Sequence, residues 1–437
     1  MDPKTQMKAK RAVKKAVKKA AKKHTSLVVA IIVLLVIIIA IGVVLYFKVD
    51  TVQTAVNNAF GIGASTESDS GNGNLSGGGG QGAQSSSGSQ GGTSGGGQQT
   101  PPKAGTYGDK DLSFHFLELG NNYTGDSTYI KAGDVDILID AGSRQNSADA
   151  ISAEVNKYCT DGKLEYVIAT HAHQDHIAGF TNTNSRDGIF KRYECGIIID
   201  FALTNASSAV YNNYCAARDA EVEAGAKHYT AMDCVAERNG AQKTYELGEG
   251  MSMTILYQRF YEETSSDENN YSVCVLFNHG DKYYLLTGDL EAEGEASLVE
   301  NNTLPQVELF KAGHHGSYTA STDTLLSVIR PKIVCVCCCA GSIEYTNTKN
   351  NHTFPAQEFI DRVAPYTDKV YVTTVGQVAY DSDKGKYKDV GFASMNGNIT
   401  VLSSGGNVTV TCSNNNTVLK DTAWFSENRT RPPAWAA

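Results

Sequence analysis

Short apolar runs rich in β-branched residues recur from residue 112 onward, several closed by a polar residue or a glycine. They are "LSFHFLEL" (112–119), "DVDILIDAG" (134–142), "LEYVIAT" (164–170), "CGIIIDF" (195–201), "SVCVLFN" (272–278), "KYYLLTGD" (282–289), "VELFKAGHHG" (307–316), "KIVCVCCCA" (332–340) and "KVYVTT" (369–374). Runs of this length predict strands, and their endings predict polar side chains delivered at strand C-termini. Between them "SADAISAEVNKYCTDG" (147–162), "NASSAVYNNYCAARDAEVEAGA" (205–226), "STDTLLSVIR" (321–330) and "PAQEFIDRV" (355–363) are the helical candidates. Strands alternating with helices predict an α/β architecture. The closing "NGNITVLSSGGNVTVTCSNNNTVLKDTAWF" reads as short antiparallel strands with Asn/Gly turns, a hairpin finishing a sheet and then a small tail.

The pattern upstream is different. Residues 1–26 form a basic segment with ten Lys and Arg by position 23 and a single acid, Asp2, and residues 27–47 follow as 21 positions without a charge. At about 1.5 Å rise per residue such a helix spans roughly 30 Å, a bilayer's hydrocarbon thickness. A cleaved signal peptide needs a shorter apolar region and a small-residue cleavage site, so the segment is expected to be an uncleaved transmembrane helix. The lysines place the N-terminus in the cytoplasm and the remainder outside the cell, in a single-pass arrangement. Residues 48–105, dominated by stretches such as "SGGGGQGAQSSSGSQGGTSGGGQQTPP", lack the apolar surface to offset the entropy of ordering and are expected to be a Gly/Ser-rich tether. The expected globular domain is 106–404, followed by a small β C-terminal extension over 405–437.

Composition narrows the function classes. From Lys103 onward 27 Lys and Arg face 43 Asp and Glu, a formal charge of about −16. An acidic domain repels polyanions unless it carries a local basic patch, which disfavours nucleic acid as the partner. Ten cysteines in an exported chain raise the question of disulfides. Four of them, Cys335, Cys337, Cys338 and Cys339, lie in one apolar run. Neighbours on a strand face opposite ways, so that run is read as a buried strand using Cys as a small apolar residue and not as a metal cluster. The remaining six show no metal-type spacing, and their pairing is open.

The chemistry concentrates in "THAHQDH" (170–176), directly after a predicted strand. His171 and His173, two apart in extended backbone, point the same way and suit one ion, while Asp175 and His176 turn toward a second. A lone histidine is more often an ordinary polar residue, but three imidazoles and a carboxylate converging without metal are poorly compensated. Two metals need further ligands. Asp289 ends a strand behind Gly288 and has two oxygens with which to bridge, although an Asp there also suits a helix cap. His314 and His315 stand on another glycine-flanked strand end, and Asp140 on a fourth.

The order Asp140, H-x-H-x-D-H, "LLTGD", "HHGS" resembles the metallo-β-lactamase superfamily. In "NNYSVCVLFNHGDKYYLLTGDLE", "VELFKAGHHGS" and "RPKIVCVCC" it is similar to the metallo-hydrolase domain of ComEC-type competence proteins, over about residues 110–404. The resemblance implies an αβ/βα four-layer sandwich with a site at one edge for two divalent ions, zinc or manganese. By position it assigns His171 and His173 to the first metal and Asp175 and His176 to the second. Asp289 bridges them, His315 or His314 completes the second, with His315 favoured, and Asp140 orients a ligand from behind.

Two departures stand out. The superfamily usually supplies a third histidine to the first metal; here the matching strand end offers Asp200, and the interval holds only His228. Competence-type relatives often carry Asn-x-x-His-Pro; here "NHTFP" puts Phe354 at the histidine position and His352 two residues earlier.

Two cations about 3.5–4 Å apart lower the pKa of a bridging water toward neutrality and stabilise the charge on the attacked group. The expected function is hydrolysis of a phosphodiester or related ester by a hydroxide bridging two metal ions. Asp175 orients that hydroxide, and the unliganded member of His314 and His315 gives a proton to the leaving oxygen. The expected substrate is a small phosphoester or a cell-surface polymer. The alternative is a surface binding or structural module whose metal site has degraded, which the doubtful third ligand alone favours.

Overall fold

The computed structural model describes residues 107–436. The basic segment 1–26, the transmembrane helix expected over 27–47 and the tether 48–105 lie outside the described residues. Among the described residues no helix is long and apolar enough to cross a membrane.

Among the described residues sixteen strands form two eight-stranded sheets. The N-terminal half supplies β1 (Leu112–Phe116), β2 (Thr128–Ala132), β3 (Val135–Ile139), β4 (Lys163–Ile168), β5 (Glu194–Asp200) and β6 (Lys227–Thr230). The C-terminal half supplies β7 (Thr244–Gly248), β8 (Met251–Leu256), β9 (Cys274–His279), β10 (Lys282–Leu286), β11 (Leu309–Lys311), β12 (Ile333–Ala340), β13 (Val370–Asp381), β14 (Lys386–Ser394), β15 (Ile399–Ser404) and β16 (Asn407–Cys412). One sheet runs β16-β15-β1-β2-β3-β4-β5-β6 and the other β14-β13-β12-β11-β10-β9-β8-β7. The β15–β16 hairpin returns to pair with β1, in the register Phe114 opposite Val401. In the first sheet β3 to β6 are parallel out to one edge with antiparallel strands on the other side, and in the second the parallel block β10 to β13 has antiparallel strands on both sides.

Burial explains the sequence pattern. β12 is buried along its whole length, so it reads as an unbroken apolar run with Cys filling four positions. All ten cysteines are free thiols. By contrast β15 alternates buried and half-buried positions, as a strand with one covered face must. The sheets meet face to face, Phe114 packing 5.3 Å from Phe277 and 4.9 Å from Tyr284 between ring centroids. A second core lies on the far side of the β7–β14 sheet, where Leu298, Leu325, Leu326, Phe359 and Ile360 come from helices Ala292–Asn301, Asp323–Ile329 and Gln357–Val363. Helix Ala209–Ala224 starts with the Ser208 hydroxyl accepting from the Tyr211 amide and buries Tyr214 beside Phe180 and Phe190.

Candidate metal centre

The parallel strands of both sheets deliver their C-terminal ends to one edge. Asp140 follows β3 in the left-handed region, φ 59°, and its amide donates to the Ile168 carbonyl at the end of β4. After β4, residues 169–173 run to His173, which is extended and opens a single helical turn, Gln174–Ile177. The extended stretch carries His171 and His173, and the turn brings Asp175 and His176 round to the inside. After β10, Gly288 takes φ 56°, and a Cβ there would lie 2.9 Å from both Ser272 Oγ and Thr170 Cβ, so the tight approach of the next residue requires glycine. Beyond β11, His314 and His315 are consecutive left-handed residues, φ 45° and 54°. Strain of this kind is held only where surrounding structure fixes it. Its effect here is to send His315 inward, fully buried, and His314 toward the rim.

The residues expected at the second metal converge. Asp289 Oδ2 lies 3.0 Å from His176 Nε2 and 3.1 Å from His315 Nε2, and His315 Nε2 lies 3.2 Å from Asp175 Oδ2. Donors on a tetrahedral ion with bonds of about 2.0–2.1 Å are spaced about 3.3 Å apart, so these separations are those of groups that can share a cation. The other ring nitrogens are spoken for. His176 Nδ1 donates to Asp140 Oδ2 at 2.7 Å and His315 Nδ1 to the Cys337 carbonyl at 2.9 Å. Asp140 is itself fixed by the Thr170 amide and hydroxyl, each at 2.8 Å. Asp289 is seated by its amide, which donates to Ser272 Oγ at 3.0 Å, and its buried Oδ1 has no hydrogen-bond partner. His171 Nε2 and His173 Nδ1 are 3.0 Å apart, and the His171 ring packs 4.1 Å from that of His176.

Charge makes the case for cations. Asp126, Asp140, Asp175 and Asp289 are all buried, against one buried ammonium, Lys311. An excess of buried carboxylate is costly unless positive charge arrives. Burial alone lowers the His176 imidazole, yet Asp289 and Asp140 outweigh it and hold His176 well above its ordinary range. His315 is likewise lowered by burial and raised further by Asp289 and Asp126. Burial raises Asp289, and His176 and His315 more than reverse it. The surrounding carboxylates favour the protonated form of both imidazoles, and a divalent ion would compete with those protons. The donor set, histidine nitrogen with carboxylate oxygen, fits zinc or manganese.

Most sequence-predicted residues come together: His171, His173, Asp175, His176, Asp289 and His315, with Asp140 behind His176. His314 is set aside from them, Nδ1 3.0 Å from Glu291 Oε1 and 3.1 Å from Thr319 Oγ1. Burial raises Glu291, but hydrogen bonds from His314 and Thr319 bring it down to about 2. Asp200 is not brought to the His171–His173 pair. Its oxygens are taken by His228 Nε2 and Arg218 Nη1, both at 2.8 Å, and by Tyr214. This corrects Asp200 as a third donor, because a carboxylate neutralised by arginine has no charge to lend an ion. His352 also stays outside, exposed, paired with Glu358 at 3.1 Å and stacked on Tyr318. Phe354 instead packs against His314, His315 and Tyr345.

Three contributors escaped sequence reasoning. Asp126 belongs to a buried group with His176, Asp289 and His315 whose donor atoms lie within 4.8 Å of one another. Lys311 is salt-bridged to Asp126 and reaches Asp289 Oδ1 at 3.7 Å. The Tyr345 phenol donates to Asp175 Oδ2 at 2.6 Å. The only sequence signal was Lys311 following Leu309 and Phe310 at the end of "VELFKAG", a charge on a predicted buried strand that must find a partner.

Residues 120–182 match the family model for the metallo-beta-lactamase superfamily. The chain is 33% identical over 112 residues to "Recombination protein 2" of Haemophilus influenzae, covering 25% of this chain and 13% of that protein. It is 33% identical over 69 residues to "ComE operon protein 3" of Bacillus subtilis, covering 15% of this chain and 9% of that protein. The matched stretches are thus a small part of these curated relatives. Among solved structures it is similar to the metallo-beta-lactamase fold protein YhfI of Bacillus subtilis, with 13% identity over 46% of this chain and 70% of that one and a TM-score of 0.28. The resemblance to the superfamily and to the competence-type proteins rests on the family model and the two curated matches, and metal-dependent hydrolases are its general membership.

Proposed function

We propose that this chain is a membrane-anchored, extracellular hydrolase of a phosphodiester or related ester, working with two divalent ions, zinc or manganese. The observation that carries the reading is Asp289 Oδ2 standing between His176 Nε2 and His315 Nε2, with the His171–His173 pair packed against His176. His171 and His173 would hold the first ion and Asp175, His176 and His315 the second, with Asp289 placed to serve both. When bound, two such ions supply Lewis acidity and activate water near neutral pH.

The chain's own residues do the rest. Asp140 keeps the His176 Nδ1 proton in place, so Nε2 presents its lone pair. Asp175 orients the attacking water, and the Tyr345 phenol fixes the carboxylate that does so. Glu291 accepts from His314 Nδ1–H, so His314 serves as proton donor from its imidazolium form, giving the Nε2 proton to the leaving oxygen and returning to the neutral Nδ1–H tautomer. Tyr318 and Tyr345, both about half exposed, present aromatic surface on the adjoining loops. Residues 27–47 anchor the chain, with the lysines of 1–26 on the cytoplasmic side. The acidic charge supports a small phosphoester or a cell-surface polymer as substrate.

The similarity to a protein named for recombination favours a second reading, nucleic acid as substrate. Hydrolysis of bis-p-nitrophenyl phosphate and of a single-stranded oligonucleotide, each before and after chelation, separates the two. Chelator-sensitive turnover of the small diester with little on the oligonucleotide supports the first reading, and the reverse supports the second. A protein that binds no metal and turns over neither is the binding module that the two-histidine first position allows.

A further inference from the structure

Asp126 and Asp175 both lie beside the group of His176, Asp289 and His315, and a fourth donor could come from either. The geometry separates them. Asp175 faces His315 Nε2 at 3.2 Å, on the side of Asp289. Asp126 faces the opposite nitrogens, 3.3 Å from His315 Nδ1 and 3.9 Å from His176 Nδ1. Those nitrogens already serve the Cys337 carbonyl and Asp140. The Lys311 ammonium, itself 2% exposed, lies against Asp126, 3.7 Å from Asp289 Oδ1 and 3.4 Å from the Gly288 carbonyl. A cavity of about 10 Å³ lined by Lys311, Asp126, Asp140, Thr170 and Gly288 adjoins it, room for about one water. The ammonium therefore has no bulk solvent to turn to, and its attraction for the carboxylates is little screened.

We propose that Lys311 is a positioning residue of the metal centre, a fixed internal cation that claims Asp126 for itself and pins Asp289 from below with Oδ2 turned up between His176 and His315. The inference rests on the metal reading of Asp289. Lys311 holds the outer oxygen of that carboxylate, the Oδ1 that no hydrogen bond restrains. It also keeps Asp126, within ligand distance by position, from serving as a ligand. Outer residues of this kind typically change metal affinity by about 10–100-fold.

The test uses the full-length chain and Co²⁺ and Mn²⁺ as probes, reading ion content after dialysis, affinity by chelator competition, and the visible spectrum of the Co²⁺ form. Asp126→Asn, which leaves Lys311 free to hold Asp289, is expected to keep both ions and the wild-type Co²⁺ spectrum. Lys311→Met is expected to bind at least 10-fold more weakly with a changed spectrum, as Asp126 is released. Because that variant strands a buried carboxylate and can fail to fold, Asp126→Asn/Lys311→Met removes the pair at no net charge. The double variant is expected to fold and still bind about 10-fold or more weakly. Wild-type affinity in the double variant overturns the proposal, since Lys311 then only neutralises Asp126. Loss of an ion in Asp126→Asn overturns it too, since Asp126 is then a ligand. Failure of the wild type to bind either probe is a different result and removes the metal reading itself.

Discussion

Asp140→Asn is the sharpest probe of how the centre is held. The native carboxylate accepts three hydrogen bonds, from the Thr170 amide on Oδ1 and from the Thr170 hydroxyl and His176 Nδ1 on Oδ2. An amide has one acceptor oxygen. Placed at Oδ1 it keeps the Thr170 amide but turns its NH₂ toward His176 N–H, donor against donor. Placed at Oδ2 it abandons the buried Thr170 amide. Either way one contact to a formerly charged group is lost, worth about 1.5–3 kcal/mol. Asp140 is 1% and His176 0% exposed, so water cannot repair the loss. At about 1.4 kcal/mol per decade the expected fall in metal affinity is roughly 10–150-fold, in the range for partners behind a metal-bound histidine. Competition against a chromophoric chelator measures it, with the thermal transition of the metal-free protein as the folding control. An Asp140→Asn variant that folds and binds metal as tightly as wild type refutes the assignment of Asp140 and the tautomer of His176 with it.

Tyr345→Phe removes the phenol on Asp175 but keeps the ring against Phe354. Since Tyr345 is 46% exposed and its bond to Asp175 is part-buried, water substitutes in part, so a loss of about 1 kcal/mol, near fivefold, is expected in metal affinity or turnover; a change beyond a hundredfold contradicts the modest role. Metal binding displaces protons that His176 and His315 hold in its absence, so affinity is expected to strengthen with rising pH, and calorimetry in buffers of differing ionisation enthalpy is expected to show proton release. No release means both rings were already neutral. Glu291, brought down to about 2 in the folded chain, contributes stability above its ordinary range that is lost as pH falls toward 2. Glu291→Gln is therefore expected to cost at most about 3 kcal/mol at neutral pH and to match wild type near pH 2, by denaturant titration.

β12 and the C-terminal ends of β3, β4 and β10 were legible because burial makes them apolar runs, and three histidines and an aspartate inside six residues need no tertiary knowledge to be noticed. Elsewhere local pattern was thin. β7 and β8 are short hairpin strands, and β14 pairs with the outer half of β13 across a turn in "YDSDKGKYKDV", a stretch poor in apolar residues. Helix Ala292–Asn301 is interrupted on paper by Gly294, yet a Cβ there would fall 2.2 Å from Leu290 Cδ1, so packing and not propensity chose the residue. Asp126, Lys311 and Tyr345 come from a loop, a strand end and another loop separated by 34 to 219 positions. Only the meeting of the two sheets puts them beside His315 and Asp289. Asp200 misled for the same reason in reverse, since its strand-end position suited a ligand while Arg218, on the following helix, had already claimed it.

The central claim is that Asp289 is shared by two divalent ions. Elemental analysis of the purified chain and of Asp289→Ala, dialysed side by side, tests it most directly. Two ions per wild-type chain and at most one in the variant are expected, with both variant and wild type folded. Equal metal content in the two proteins contradicts it.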